Sequence, residues 1–153
     1  MFGLFNSAPV SDSQLGELRR AGGLWRGSIT IGASAAVPLA IAGGRREPDT
    51  QAVQIARQVA TRFAGWRPII EQALFEHYQP HGESLPDDHA AARLAAASDV
   101  WPQVVLIYVA VTPLDDTLGT ELGYTTTWDD EHTLGARFRG EQFIELCGSV
   151  LPP

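Results

Sequence analysis

Residues Val104 to Val111 form an unbroken apolar run, Val-Val-Leu-Ile-Tyr-Val-Ala-Val. A strand with one wet face alternates in polarity, whereas a strand covered on both faces reads as a continuous apolar segment. This run therefore reads as a central strand, and a central strand requires both neighbours and a second layer. It falls far short of the ~20 apolar residues that cross a bilayer. No other apolar run in the chain approaches that length, so no membrane span is expected.

The neighbours are legible by alternation. Trp25, Gly27, Ile29 and Ile31 share one face of a strand over 24–31, with Arg26, Ser28 and Thr30 on the other. After a turn at Gly32-Ala33-Ser34, Val37, Leu39 and Ile41 line a second strand. Pro38 cannot donate to a ladder, which predicts an edge or bulged position there. On the C-terminal side, Leu122, Tyr124, Thr126 and Trp128 alternate. Leu134, Ala136 and Phe138 follow, with Arg137 and Arg139 outward. Gly140-Glu141 makes a tight turn into a last strand from Phe143 to Cys147.

Between these groups the period changes. Pro48-Asp49-Thr50 opens a helix whose stripe is Ala52, Ile55, Ala56, Val59 and Phe63, and Gly65 and Pro68 punctuate it. A second helix is predicted from Pro68 to Tyr78, ended by Pro80 and Gly82, and a third, Ala-rich one from Asp87 to Ala97. At the N-terminus, Ser11-Asp12-Ser13 reads as the cap of a short helix reaching Arg20, and Phe2, Leu4 and Phe5 are expected to tuck against the body. Segregated runs of strands and helices predict an α+β domain. The expectation is a largely antiparallel sheet of about six strands, with two or three helices inserted after the second strand and packed on one face. The 153 residues suit a single globular domain over 1–153.

Charge narrows the partners. The net charge is −7, and all 11 basic residues are Arg. Without Lys there is neither a Schiff-base amine nor a phosphate-loop lysine. Residues 83–153 carry three arginines against twelve acids. Such a field repels phosphate backbones, which excludes nucleic acid as a partner, and attracts a basic protein. Cys147 is alone, so no intramolecular disulfide can form. The start Met1-Phe2-Gly3-Leu4-Phe5 has neither the positive charge nor the length of a signal core. A reducing, cytoplasmic setting is expected. The abundance of Ala and the use of Arg in place of Lys suit a GC-rich bacterial source.

The chemically densest stretch is Trp128-Asp129-Asp130-Glu131-His132, in the connection between two predicted strands. Together with the apolar strand, turn and apolar strand that follow, it resembles a group of uncharacterised bacterial domains. That group carries a Trp-Asp-x-Glu-His-Gly signature near the C-terminus. The likeness covers residues 119–149, with a looser match around Gly23 to Gly27, and this chain has Thr133 where the signature has Gly. Some such domains are thought to be immunity proteins of toxin systems, and the resemblance implies that role here.

Read from its residues alone, the stretch has several possible uses. A glycosidase-type pair needs carboxylates facing each other across ~5–9.5 Å, which neighbours in a tight turn do not achieve unaided. A metal-dependent hydrolase centred on Asp129, Glu131 and His132 is the enzymatic alternative, with His77, His81 and His89 as further ligands. Pro80, however, is expected to break the helical alignment of His77 and His81. No catalytic residue, metal or cofactor is assigned. The structural reading is a clasp: Trp128 packs on the sheet or helices, Asp129 or Asp130 accepts turn amides, and Glu131 and His132 pair with each other or an arginine. The binding reading makes Trp128, Asp129, Asp130, Glu131 and His132 a recognition surface for a basic protein.

Other features are set aside. Asp115 to Glu121 lacks an EF-hand frame, Ser34 lacks a nucleophile elbow, and Cys147 reads as a small buried hydrophobe. Trp66 and Trp101 read as core plugs, a homodimer face being the alternative.

Overall fold

The computed structural model describes residues 7–32 and 34–153; the expectations for Phe2, Leu4, Phe5 and Ala33 lie outside them. The described chain runs β1 (Val10–Asp12), β2 (Gly16–Ala21), β3 (Leu24–Ile29), β4 (Val37–Ile41), α1 (Thr50–Gly82), a 3-10 helix (Ala97–Gln103), β5 (Val104–Leu114), β6 (Thr117–Thr126), β7 (Thr133–Arg139) and β8 (Gln142–Val150). The strands form one sheet in sequential order. Every neighbouring pair is antiparallel except β4 and β5, which α1 joins as a parallel crossover. The architecture is α+β and mostly antiparallel. The described residues form eight strands rather than six, and one long α-helix plus a 3-10 helix rather than two or three helices.

The two extra strands replace the expected N-terminal helix. Asp12 does cap, but it caps a turn: its Oδ2 accepts from the amides of Gln14 (2.9 Å) and Leu15 (2.8 Å). Gly16, at φ 78°, then takes the chain back as β2. An Asx residue offers the same bond to a helix start and to a turn, so the local signal is ambiguous. Gly22 and Gly23, at φ 61° and 82°, join β2 to β3 with the positive dihedrals of a two-residue hairpin.

Pro38 lies in an interior strand, not at an edge. The ladder from β4 to β5 begins at Leu39 (Leu39↔Val109), one residue past the proline, so the missing donor costs that ladder nothing. The apolar run of β5 is central as expected, but only Tyr108 to Val111 is buried; Val105 is 61% exposed.

The predicted break at Gly65 and Pro68 does not occur. Asp49 caps α1 by accepting from the Ala52 amide (2.9 Å), and the helix continues for 33 residues, about 50 Å. Pro68 removes one ladder bond and costs about 3 kcal/mol. Trp66, Ile70 and Leu74 carry the buried stripe of Ala52, Ala56 and Val59 onward in phase. Burying each large side chain contributes roughly 1.5–3 kcal/mol, so a helix broken there would lose more than it recovered. This stripe meets Leu39, Ile41, Val109, Leu122, Leu134 and Phe138 in one core. Trp66 stacks on Phe138 with centroids 4.4 Å apart. At 3% exposure it is a core plug and is not available to a dimer face.

The third helix, Asp87 to Ala97, is replaced by turns. Tyr78 at the end of α1 donates to the Ala91 carbonyl and accepts from the Leu94 amide, and His89 Nδ1 accepts from the Ala91 amide. Side-chain bonds of this kind compete with a helix ladder and override a propensity worth only tenths of a kcal/mol per residue. No helix of the described chain is long and apolar enough to cross a membrane.

Candidate functional site

Residues 127–132 connect β6 to β7, as the sequence implies. The Thr127 amide donates to the Gln103 carbonyl (2.9 Å), fixing the entry of the connection. Trp128 then turns inward. It is 4% exposed, its ring meets Tyr78 edge-on at 5.3 Å, and its Nε1–H donates to His77 Nδ1 at 3.1 Å. Trp128 is therefore the anchor of the connection on the last turns of α1 and not part of an exposed recognition surface.

Asp129 sits behind it, with its side chain 10% exposed. Its amide donates to Thr126 Oγ1 (3.1 Å), and its carboxylate accepts from the Glu131 amide (3.2 Å). His132 Nδ1 lies 3.1 and 3.0 Å from the two carboxylate oxygens. The inward Trp128 and the turn bonds of Asp129 match the clasp expected from sequence, but the expected pairing of Glu131 and His132 does not form: His132 pairs with Asp129, and the Glu131 carboxylate pairs with neither His132 nor an arginine. Asp130, Glu131 and His132 are exposed. Neither Asp130 nor Glu131 has an ion-pair partner among the described residues. Thr133 is an ordinary strand residue, and the only non-glycine with positive φ in the described chain is Asp115.

The predicted failure of the His77–His81 alignment is overturned. Pro80 lies within α1, and the helix continues past it to Gly82. A proline deletes one donor and crowds the carbonyl four residues back, but it leaves the angular relation of positions 77 and 81 intact. The two imidazoles stack with centroids 4.8 Å apart. His81 Nδ1 contacts the His77 carbonyl (3.0 Å), and its Nε2 lies 3.9 Å from Asp129 Oδ2. One donor atom each from His77, His81 and Asp129 lies within 4.8 Å of the others. Glu131 and His132 do not belong to that convergent group, and His89 is engaged with Ala91 instead.

Electrostatics follow from this packing. Burial holds the His77 imidazole below its ordinary value, the charges of His81 and His132 push the same way, and Asp129 opposes them. An indole N–H only donates, so the bond from Trp128 requires an unprotonated His77 Nδ1. For Asp129, burial opposes ionisation. The hydrogen bonds from His132 and the Glu131 amide, with the charges of His132 and His81, outweigh it and keep the carboxyl below the usual range.

A second polar cluster lies on the sheet face bearing Arg137, where alternation predicts only outward arginines. Glu121, 8% exposed, accepts from the Tyr108 hydroxyl and from Arg137 Nε (2.7 Å); Arg137 also reaches Glu145 (3.4 Å). Tyr108 lies over Gly123, where an added Cβ would stand 2.3 Å from its ring. Burial and the bond to Glu121 raise the Tyr108 pKa far above its ordinary value, so it stays a neutral donor. All three polar groups satisfy one another, and the cluster braces the sheet.

A family described as "Domain of unknown function (DUF6985)" matches residues 14–150. No curated protein and no solved structure matches the chain.

Proposed function

Because this chain belongs to the DUF6985 family, whose function is not known, its role has to be read from its own residues, and we propose that it is a non-enzymatic bacterial protein-binding domain of the cytoplasm that engages a basic protein through the β6–β7 connection. The observation that carries this reading is the pair Asp130 and Glu131, exposed and without an arginine partner on a rigidly anchored turn. Some acids of the C-terminal half are paired, Asp87 with Arg93, Glu121 and Glu145 with Arg137, and Glu141 at 3.7 Å from Arg62; Glu83, Asp88, Asp99 and Asp115 are exposed without an ion-pair partner among the described residues, as Asp130 and Glu131 are, but they lie outside the turn that Trp128 anchors. Asp116 shares a cleft with Arg45 and Arg46. Unpaired acids on a preorganised turn steer a cationic partner and lose little entropy on binding. An immunity-type role is the sharpest form of this reading, and it rests on the signature resemblance.

The test is capture of a basic partner from the source organism by the whole chain and by the double variant Asp130→Asn, Glu131→Gln. Support requires one specific protein, retained at low salt, weakened at high salt and lost from the variant. Capture that is indifferent to salt and to both substitutions counts against the reading. The hydrolase alternative centred on Asp129, Glu131 and His132 draws less support, since the donors that converge belong to His77, His81 and Asp129.

A further inference from the structure

We propose that His77, His81 and Asp129 form a binding site for a borderline divalent transition ion of the Zn²⁺ class, and that the Trp128 indole competes with the ion for His77. This inference is independent of the basic-partner reading, because it uses the inner residues of the connection rather than Asp130 and Glu131.

The donor set is poised. A carbonyl only accepts, so the contact of His81 Nδ1 with the His77 carbonyl at 3.0 Å places the proton on Nδ1 and leaves the Nε2 lone pair bare. A ligating imidazole is commonly fixed in this way by its other nitrogen. Nε2 lies 3.9 Å from Asp129 Oδ2. Two donors on one tetrahedral zinc, at ~2.0–2.1 Å each, stand roughly 3.4 Å apart, so the pair has about half an ångström to close. The Asp129 carboxylate is held by the Glu131 amide and His132 Nδ1, partners of the kind that orient a metal-bound carboxylate. Two imidazoles and one carboxylate suit zinc, nickel or cobalt and not calcium or magnesium, which prefer all-oxygen shells. His81 is 39% exposed on its side chain, which leaves room for solvent as a fourth ligand.

His77 is the contested ligand. Its ring stacks on His81, and its Nδ1 lone pair receives the Trp128 N–H at 3.1 Å. A neutral imidazole has one free lone pair, and in His77 the Trp128 N–H already occupies it, so ligation through either ring nitrogen gives up that bond. Ion and indole are therefore alternatives for one lone pair. Trp128→Phe keeps an aromatic ring but removes the competing donor, so it should tighten ion binding by roughly fivefold, the equivalent of one ordinary hydrogen bond.

The experiment titrates the chelator-treated whole chain with ZnCl₂ alone by calorimetry, while the Trp128 indole ¹H–¹⁵N resonance is followed. The expected result is saturable uptake of one ion per chain, displacement of the Trp128 resonance on loading, loss of uptake in His81→Gln and tighter uptake in Trp128→Phe. No saturable uptake up to about 1 mM Zn²⁺, uptake unchanged in His81→Gln, or an unmoved Trp128 resonance at saturation each overturns the proposal. His81 lies at the surface, so its variant and the indole readout decide the matter even if Trp128→Phe does not fold.

Discussion

Trp128 is the side chain that fastens the β6–β7 connection to α1, and its removal has a magnitude that follows from its contacts. The ring is 4% exposed, packs edge-on against Tyr78 at 5.3 Å and donates one hydrogen bond to His77. Truncating a buried aromatic to alanine costs about 3–5 kcal/mol. Trp128→Phe retains much of the apolar contact and loses the donor, which leaves a partly buried imidazole nitrogen unanswered at a cost of about 1 kcal/mol. A domain of this size has ~5–15 kcal/mol in hand, so the phenylalanine variant should fold and the alanine variant should be marginal. Urea unfolding measures both, and a lower midpoint at constant slope reports a true stability loss. A Trp128→Ala loss below about 1 kcal/mol would refute the clasp, since a side chain so cheaply deleted fastens nothing.

Three further outcomes follow from other parts of the fold. Gly65 lies mid-helix with open space around an added Cβ, so Gly65→Ala should stabilise by about 0.5–1 kcal/mol in thermal or urea unfolding. Gly123→Ala would drive a methyl into the Tyr108 ring at 2.3 Å and should destabilise by at least about 1–3 kcal/mol in the same assay. Asp12 supplies a pH dependence. The Arg57 hydrogen bond, helped by the amides of Leu15 and Gln14 and opposed by desolvation, holds its carboxyl at about 2. A carboxyl depressed in the folded state stabilises above its unfolded value near ~4 and loses that contribution as pH falls toward 2. The Arg57 side chain is well exposed, so screening reduces the contribution to about 1–2 kcal/mol. The stability gap between the wild type and Asp12→Asn, taken from urea midpoints, should be widest at neutral pH and close near pH ~2; a gap that persists unchanged would contradict the assignment.

How far the chain could be read depended on how local each signal is. The faces of β3, β4, β6 and β7 were legible because Trp25 to Ile29, Val37 to Ile41, Leu122 to Tyr124 and Leu134 to Phe138 alternate against a single core. Asp12 was misread because one carboxylate caps a turn or a helix equally well, and only Arg57, contributed from α1, marks which. Pro68 and Pro80 are strong local stop signals that long-range packing of Trp66, Ile70 and Tyr78 overrides. That error propagated to the site, because His77 and His81 converge on Asp129 only if α1 survives its prolines. The connection at 127–132 and its Asp129 turn bonds were within reach of sequence. The partners of the inward Trp128 were not, since Tyr78 and His77 lie some fifty positions away in the chain. The Tyr108–Glu121–Arg137 cluster was missed for the same reason: cross-strand register brings it together, and composition does not show register.

The most direct test of the binding reading is an amide chemical-shift map of the whole chain titrated with an oligo-arginine peptide at low and physiological salt. Saturable, salt-sensitive shifts centred on residues 129–132 and on His81 across from them are predicted, with the Asp115–Asp116 end left unmoved. Shifts spread evenly over every acid, or centred on Asp115 and Asp116, would contradict the assignment of the β6–β7 connection as the recognition surface.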